Sequence, residues 1–219
     1  MIWLNAESAD VFKWVGPDGR TYYGDQPTDN TAKRVERANA IGPVPLSEVE
    51  IEESTFKYFP ISGSTPRELH ESMLANGPFN QIAQRRVIGE CGWNIKSTVE
   101  YERKAGQCGI GKFKVTLMTE ITMPKWMNAD TASADVRRLW TQVESDIRKH
   151  ENTHKTIHIE AANVLARRMR ALPPYDNCRA LDVAIVQQRM KVFTEYAISD
   201  RAFDRVEAAK AGQKGRLIQ

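Results

Sequence analysis

From about Thr131 to Ala171, apolar residues recur at helical spacing, and Pro173-Pro174 end the run. A helix that long must bury one stripe along most of its length, so it constrains everything else the chain can build. At about 100° per residue, Val136, Trp140, Val143, Ile147, Ile157, Ala161 and Leu165 fall on one face. His150 and His154 lie in the middle of that stripe. Burying imidazoles without partners costs roughly a few kcal/mol, so the stripe must supply one.

The segment His150-Glu151-Asn152-Thr153-His154 reads H-E-x-x-H. Histidines at i and i+4 sit one turn apart on one face, where both rings reach a single Zn²⁺. The Glu beside the first His is placed to take a proton from a zinc-bound water. Three of the four histidines, His150, His154 and His158, fall in this stretch. The bare motif arises by chance in roughly one chain in two hundred of this length, so it needs context. The plainer alternative is a pair of core histidines hydrogen-bonded to carboxylates of the next helix. Glu151 tips the reading toward zinc, because a purely structural metal site has no use for that carboxylate.

A third ligand is required. His158 shares the face, but its backbone lies ~12 Å along the axis from His150, which suits packing better than ligation. Glu160 points off the stripe and reads as solvated. A second helix, from about Arg179 to Ala211 with Gly212 as its stop, offers Val186, Met190, Phe193 and Ala197 as an apolar stripe. Extending that stripe brings Asp200, Asp204 and Glu207 onto the same face, with Glu195 opposite. A short connection makes the two helices antiparallel neighbours, which puts residues near 196–200 opposite the histidines. Asp200 and Asp204 both lie within a turn of that region; Asp204 is taken as the third ligand, with Asp200 or Glu207 as alternatives. An acidic, frayed helix end is the competing reading.

Upstream, Val11-Phe12-Lys13-Trp14 and Arg20-Thr21-Tyr22-Tyr23 flank the turn Gly16-Pro17-Asp18-Gly19, a small β-hairpin. Residues 28–52 are polar, carry Pro43 and Pro45, and read as linker. Thr55 to Ile61 reads as a strand. Thr65-Pro66-Arg67-Glu68 is a capping box with proline at the first helical position, opening a helix to about Ala75. Trp93–Tyr101 and Ile110–Ile121 alternate apolar with polar, and Lys104-Ala105-Gly106-Gln107 joins them as a hairpin. The expected sheet is antiparallel with one buried face, and Pro124 is its stop.

Composition narrows the class. Apolar content of 41% and charged content of 27% suit a folded globular chain. A net charge of +3, with bases interleaved among acids, gives no nucleic-acid stripe. No apolar run approaches the ~20 residues of a membrane span. The opening Met1-Ile2-Trp3-Leu4-Asn5-Ala6 is too short for a signal peptide, which leaves an intracellular chain or a sequence starting near a cleavage point. Cys91, Cys108 and Cys178 lack C-x-x-C spacing. They are three reduced buried thiols, or Cys108 and Cys178 pair in an oxidising compartment.

From about Phe56 to Gly215 the chain resembles the bacterial Zn-dependent protease family catalogued as domain of unknown function 922. The carrying features are Tyr58-Phe59-Pro60-Ile61-Ser62-Gly63-Ser64-Thr65-Pro66, Asn76-Gly77-Pro78, Gly92-Trp93-Asn94, Cys108, Met123-Pro124-Lys125-Trp126, the H-E-x-x-H core, Cys178 and Phe203-Asp204. The resemblance implies a zincin-like metallopeptidase of the bacterial periplasm or secreted fraction, and a Cys108–Cys178 disulfide. One departure stands out: relatives carry Tyr-Asp followed by Thr-x-His-Gly, whereas here Phe203-Asp204 precedes Glu207-Ala208-Ala209-Lys210 without a His. Residues 10–27 are similar to a small envelope module, domain of unknown function 4124, through Val11-Phe12-Lys13-Trp14, Asp18-Gly19-Arg20, Tyr22-Tyr23 and Asp25-Gln26-Pro27.

The expectation is thus an α+β chain: a small antiparallel sheet on two long antiparallel helices, zincin-like, with a small N-terminal β appendage. Its parts are residues 9–30 as the hairpin module, 31–54 as linker and 55–215 as the peptidase-like domain. The expected chemistry is zinc-dependent hydrolysis of a peptide or protein substrate, with Glu151 as general base and His150, His154 and Asp204 on Zn²⁺. The alternative is a non-catalytic envelope binding or scaffold protein with structural zinc or none.

Overall fold

The computed structural model describes residues 12–15, 21–24, 33–35, 48–81 and 83–216. They form a mixed α/β protein. Its strands are β1 (Phe12–Val15), β2 (Thr21–Gly24), β3 (Lys33–Val35), β4 (Val49–Ile51), β5 (Thr55–Ile61), β6 (Phe79–Asn80), β7 (Arg85–Arg86), β8 (Glu90–Lys104) and β9 (Gln107–Trp126). Its α-helices are α1 (Pro66–Asn76), α2 (Ala134–Arg170) and α3 (Cys178–Arg216). The turn read at Gly16-Pro17-Asp18-Gly19 and residues 36–47 of the linker lie outside the described residues.

Local signals act where they stand. The Thr65 hydroxyl accepts from the Glu68 N–H at 3.3 Å and the Glu68 carboxylate accepts from the Thr65 N–H at 3.2 Å, so the capping box opens α1. Ala105 and Gly106 both take positive φ, 52° and 80°, the backbone that a two-residue hairpin demands, and β8 pairs with β9 across them. Asp135 in the first turn of α2 and Arg167, Arg168 and Arg170 in the last complement its dipole.

Two expectations about the sheet need correcting. β4 and β5 both run parallel to β9, with Val49 opposite Val115 and Thr55 opposite Glu120, so the sheet is mixed rather than antiparallel. The chain between β5 and β9 contains α1 and three strands, and a connection that long leaves strand direction to tertiary packing. Nor does Pro124 stop β9: it sits opposite Phe59 inside the parallel register. A proline is tolerated where the ladder makes no use of its missing N–H. Likewise α3 continues to Arg216 through Gly212, since a helical glycine costs only about 1 kcal/mol relative to alanine.

The chain divides into two compact units. One comprises Val49–Thr98 and Lys114–Ile159. Its core gathers Phe59 and Ile61 of β5, Leu69 and Met73 of α1, Ile121, Met123 and Trp126 of β9, and Ile147 of α2. The other comprises Met1–Glu48, Val99–Phe113 and Glu160–Gln219. In it β1 pairs antiparallel with both β2 and β3, and β2 lies against α3. There a disulfide joins Cys108 to Cys178 with a Cα–Cα distance of 5.1 Å. The backbones of Cys108 and Tyr175 exchange hydrogen bonds beside it, at 2.7 and 2.9 Å.

Candidate metal centre

The stripe read on α2 is the buried one. Ile147, Ile157, Ala161 and Leu165 are buried, and Val136, Trp140 and Val143 are half-buried. Within it His150 is half-buried and His154 is buried. Their Nε2 atoms lie 3.2 Å apart and their rings meet edge-on at 71°, so both nitrogens converge on one point. Glu151, one position along, is only 4% exposed. A carboxylate held that far from water is costly unless its surroundings use its charge.

Space for that carboxylate comes from Gly89, ahead of β8. A Cβ at this position would stand 2.5 Å from Glu151 Oε1 and 2.9 Å from Ile147 Cγ2, so only a residue without a side chain fits there. His158 is 1% exposed. It stacks on Trp93 at 4.6 Å and 10°, and its Nδ1 lies 3.8 Å from Cys91 Sγ. Its ring centroid is 6.3 Å from that of His154. It is packed against Trp93 and Cys91. None of Gly89, Cys91 and Trp93 was read from sequence as part of the site. The alternation of β8 does reach back to Cys91, because positions 91, 93 and 95 share a face that ends in buried Ile95. Gly89 leaves no sequence signal at all.

On α3 the expected stripe is wrong in part. Val186 and Met190 are 46% and 60% exposed, while Leu181, Ala184, Ile185, Val192, Tyr196 and Phe203 are buried. The helix carries apolar residues on two faces, and packing selected the other. Asp200 and Glu207 are half-buried and Asp204 is exposed. Glu160 is half-buried rather than solvated. The Tyr196 phenol donates to it, and burial first, then the nearby Glu160 charge, push the Tyr196 pKa well above its ordinary value. Arg168 pairs with Glu195 at 2.7 Å in the same unit. No α-helix among the described residues is long and apolar enough to cross a membrane.

Residues 56–212 match the family described as "Bacterial protein of unknown function (DUF922)". Residues 4–53 match a second, "Domain of unknown function (DUF4124)". Both agree with the resemblances read from the sequence, and neither description carries an activity. No curated protein and no solved structure matches the chain.

Proposed function

We propose that this chain, which belongs to the bacterial family DUF922, is a zinc-dependent metallopeptidase acting on peptide or protein substrates. The observation that carries the reading is the pair of imidazoles. Two nitrogens bound at 2.0–2.1 Å to one tetrahedral zinc stand about 3.3 Å apart, and the Nε2 atoms of His150 and His154 stand at 3.2 Å. Their neutral-nitrogen chemistry fits Zn²⁺, and the next residue is a carboxylate shielded from bulk water. As third ligand we propose Asp204, with Asp200 or Glu207 as alternatives. A carboxylate of α3 would complete the three protein ligands that a catalytic zinc keeps.

Zinc held there would act as a Lewis acid toward the scissile carbonyl and lower the pKa of an attacking water. His150 and His154 orient the centre. Glu151 accepts the water proton and returns it to the leaving amine. Gly89 leaves the Glu151 carboxylate room to stand. The Cys108–Cys178 disulfide supports a place in an oxidising compartment, the periplasm or outside the cell.

Metal analysis of the purified protein and a casein-cleavage assay test the reading together. The expected result is about one zinc per chain, with cleavage lost by about 10²-fold or more in Glu151→Gln while zinc is retained. Zinc at that ratio with no cleavage of casein or of a peptide library would leave a structural site in a scaffold protein. Absence of zinc, with a melting temperature indifferent to chelator, would remove the metal reading altogether.

A further inference from the structure

A concave site lies in the unit Val49–Thr98 and Lys114–Ile159, between the end of the sheet and the first half of α2. It is a cleft of about 450 Å³ whose walls include Tyr58, Pro124, Lys125, Trp126, Trp140 and Glu144. A volume of this size takes one small ligand rather than a protein face. Along α2, Glu144 precedes His150 by ~9 Å and Trp140 by ~15 Å, so the cleft is not the histidine centre.

Its aromatic walls are built and held. The Trp126 indole N–H donates to Gly63 O at 3.0 Å and to Asn128 Oδ1 at 3.1 Å, which fixes the ring. Trp140 meets Trp126 at 5.9 Å and 60°. Tyr58 stands at the mouth, 53% exposed. A large aromatic left half in water beside two indoles is an open stacking platform.

The charges of the cleft decide what it takes. Glu144 already pairs with Arg148 at 3.4 Å, and the Arg148 guanidinium lies 5.7 Å over the Phe56 ring. With Lys125 on the wall and Arg148 beside Glu144, a cationic ligand would meet like charge. An anionic ligand would meet Glu144. A wholly apolar ligand would strip water from both an ammonium and a carboxylate without replacing its hydrogen bonds. A neutral ligand with a flat C–H face and a rim that both donates and accepts satisfies every wall. We propose that the cleft binds a pyranose ring of an oligosaccharide, with the ring face on Tyr58 and Trp140 and its hydroxyls reaching Glu144 and Lys125. This site stands whether or not His150 and His154 hold zinc.

Saturation-transfer NMR with cellotetraose and chitotetraose tests it on the full chain. Irradiating aromatic protein resonances should transfer saturation to the C–H protons of at least one of the two sugars, with a saturable dependence on concentration. Tyr58→Ala, an exposed position that leaves folding intact, should weaken binding about tenfold, and Trp140→Ala should weaken it at least as much. Glu144→Gln should weaken it less. Three results overturn the proposal: no transfer to either sugar, transfer unchanged in Tyr58→Ala, or saturable binding of deca-proline or hexalysine in the cleft in place of the sugars.

Discussion

Helices α2 and α3 are nearly equal in length, at 37 and 39 residues, yet they treat polarity in opposite ways. Helix α2 takes polar groups out of water: Glu151, His154 and His158 are all buried. Helix α3 leaves apolar groups in water, with Val183, Val186, Met190 and Ile198 each about half exposed. The two departures are not equivalent. An exposed Val or Met costs little and is ordinary on a protein surface. A buried carboxylate between two histidines is expensive, and a fold keeps it only where the charge is used. The proposed chemistry therefore rests on α2.

Four perturbations test that contrast. The largest concerns how α3 is secured. Replacing both Cys108 and Cys178 by Ser removes a link across 70 residues, and loop-closure arguments put the loss at about 4 kcal/mol in chemical denaturation. A loss under ~1 kcal/mol would mean that packing alone holds the start of α3. Next comes the pair of apolar faces. Leu165→Ala on α2, at 0% exposure, should cost about 3 kcal/mol, whereas Met190→Ala on α3 should stay within ~0.5 kcal/mol. Equal losses would show that Met190 is covered in solution, and the contrast would fail.

Gly89→Ala probes the buried carboxylate. The new Cβ would crowd Glu151 Oε1, so a destabilisation of about 1–3 kcal/mol is expected. Gly92→Ala is the control, since its Cβ would meet nothing nearer than 3.8 Å and should leave the melting temperature almost unmoved. If both substitutions behave alike, the close approach of Gly89 to Glu151 has no energetic meaning. The smallest effect concerns Tyr196. Its pKa is raised in the fold, so its contribution is fully present below the ordinary tyrosine value of about 10 and is lost as pH rises beyond it. Alkaline titration of stability should therefore fall more steeply for the wild type than for Tyr196→Phe. Parallel curves would mean that Tyr196 is not buried as described.

Much of the candidate site was legible because its signals are local. His150, Glu151 and His154 are neighbours in one helix, and their facing follows from helical spacing alone. Placing Asp204 was harder. That step needed the buried stripe of α3, and α3 offers two. Leu181, Ile185, Val192, Tyr196 and Phe203 recur at steps of four and seven, as Val183, Val186, Met190 and Ile198 recur nearby at helical spacing on another face. Either row makes a valid amphipathic face.

Features that act within a few residues are set locally: the α2 stripe, the Thr65–Glu68 capping box, and the Ala105-Gly106 turn that joins β8 to β9. Periodicity, capping and turn geometry each operate over about one turn or one hairpin. Long-range packing set which face of α3 is buried, that β4 and β5 run parallel to β9, and that Gly89 comes up against Glu151. Those depend on residues far apart in the chain. The free energy that settles them comes from burying surface between elements, and no local spacing encodes that.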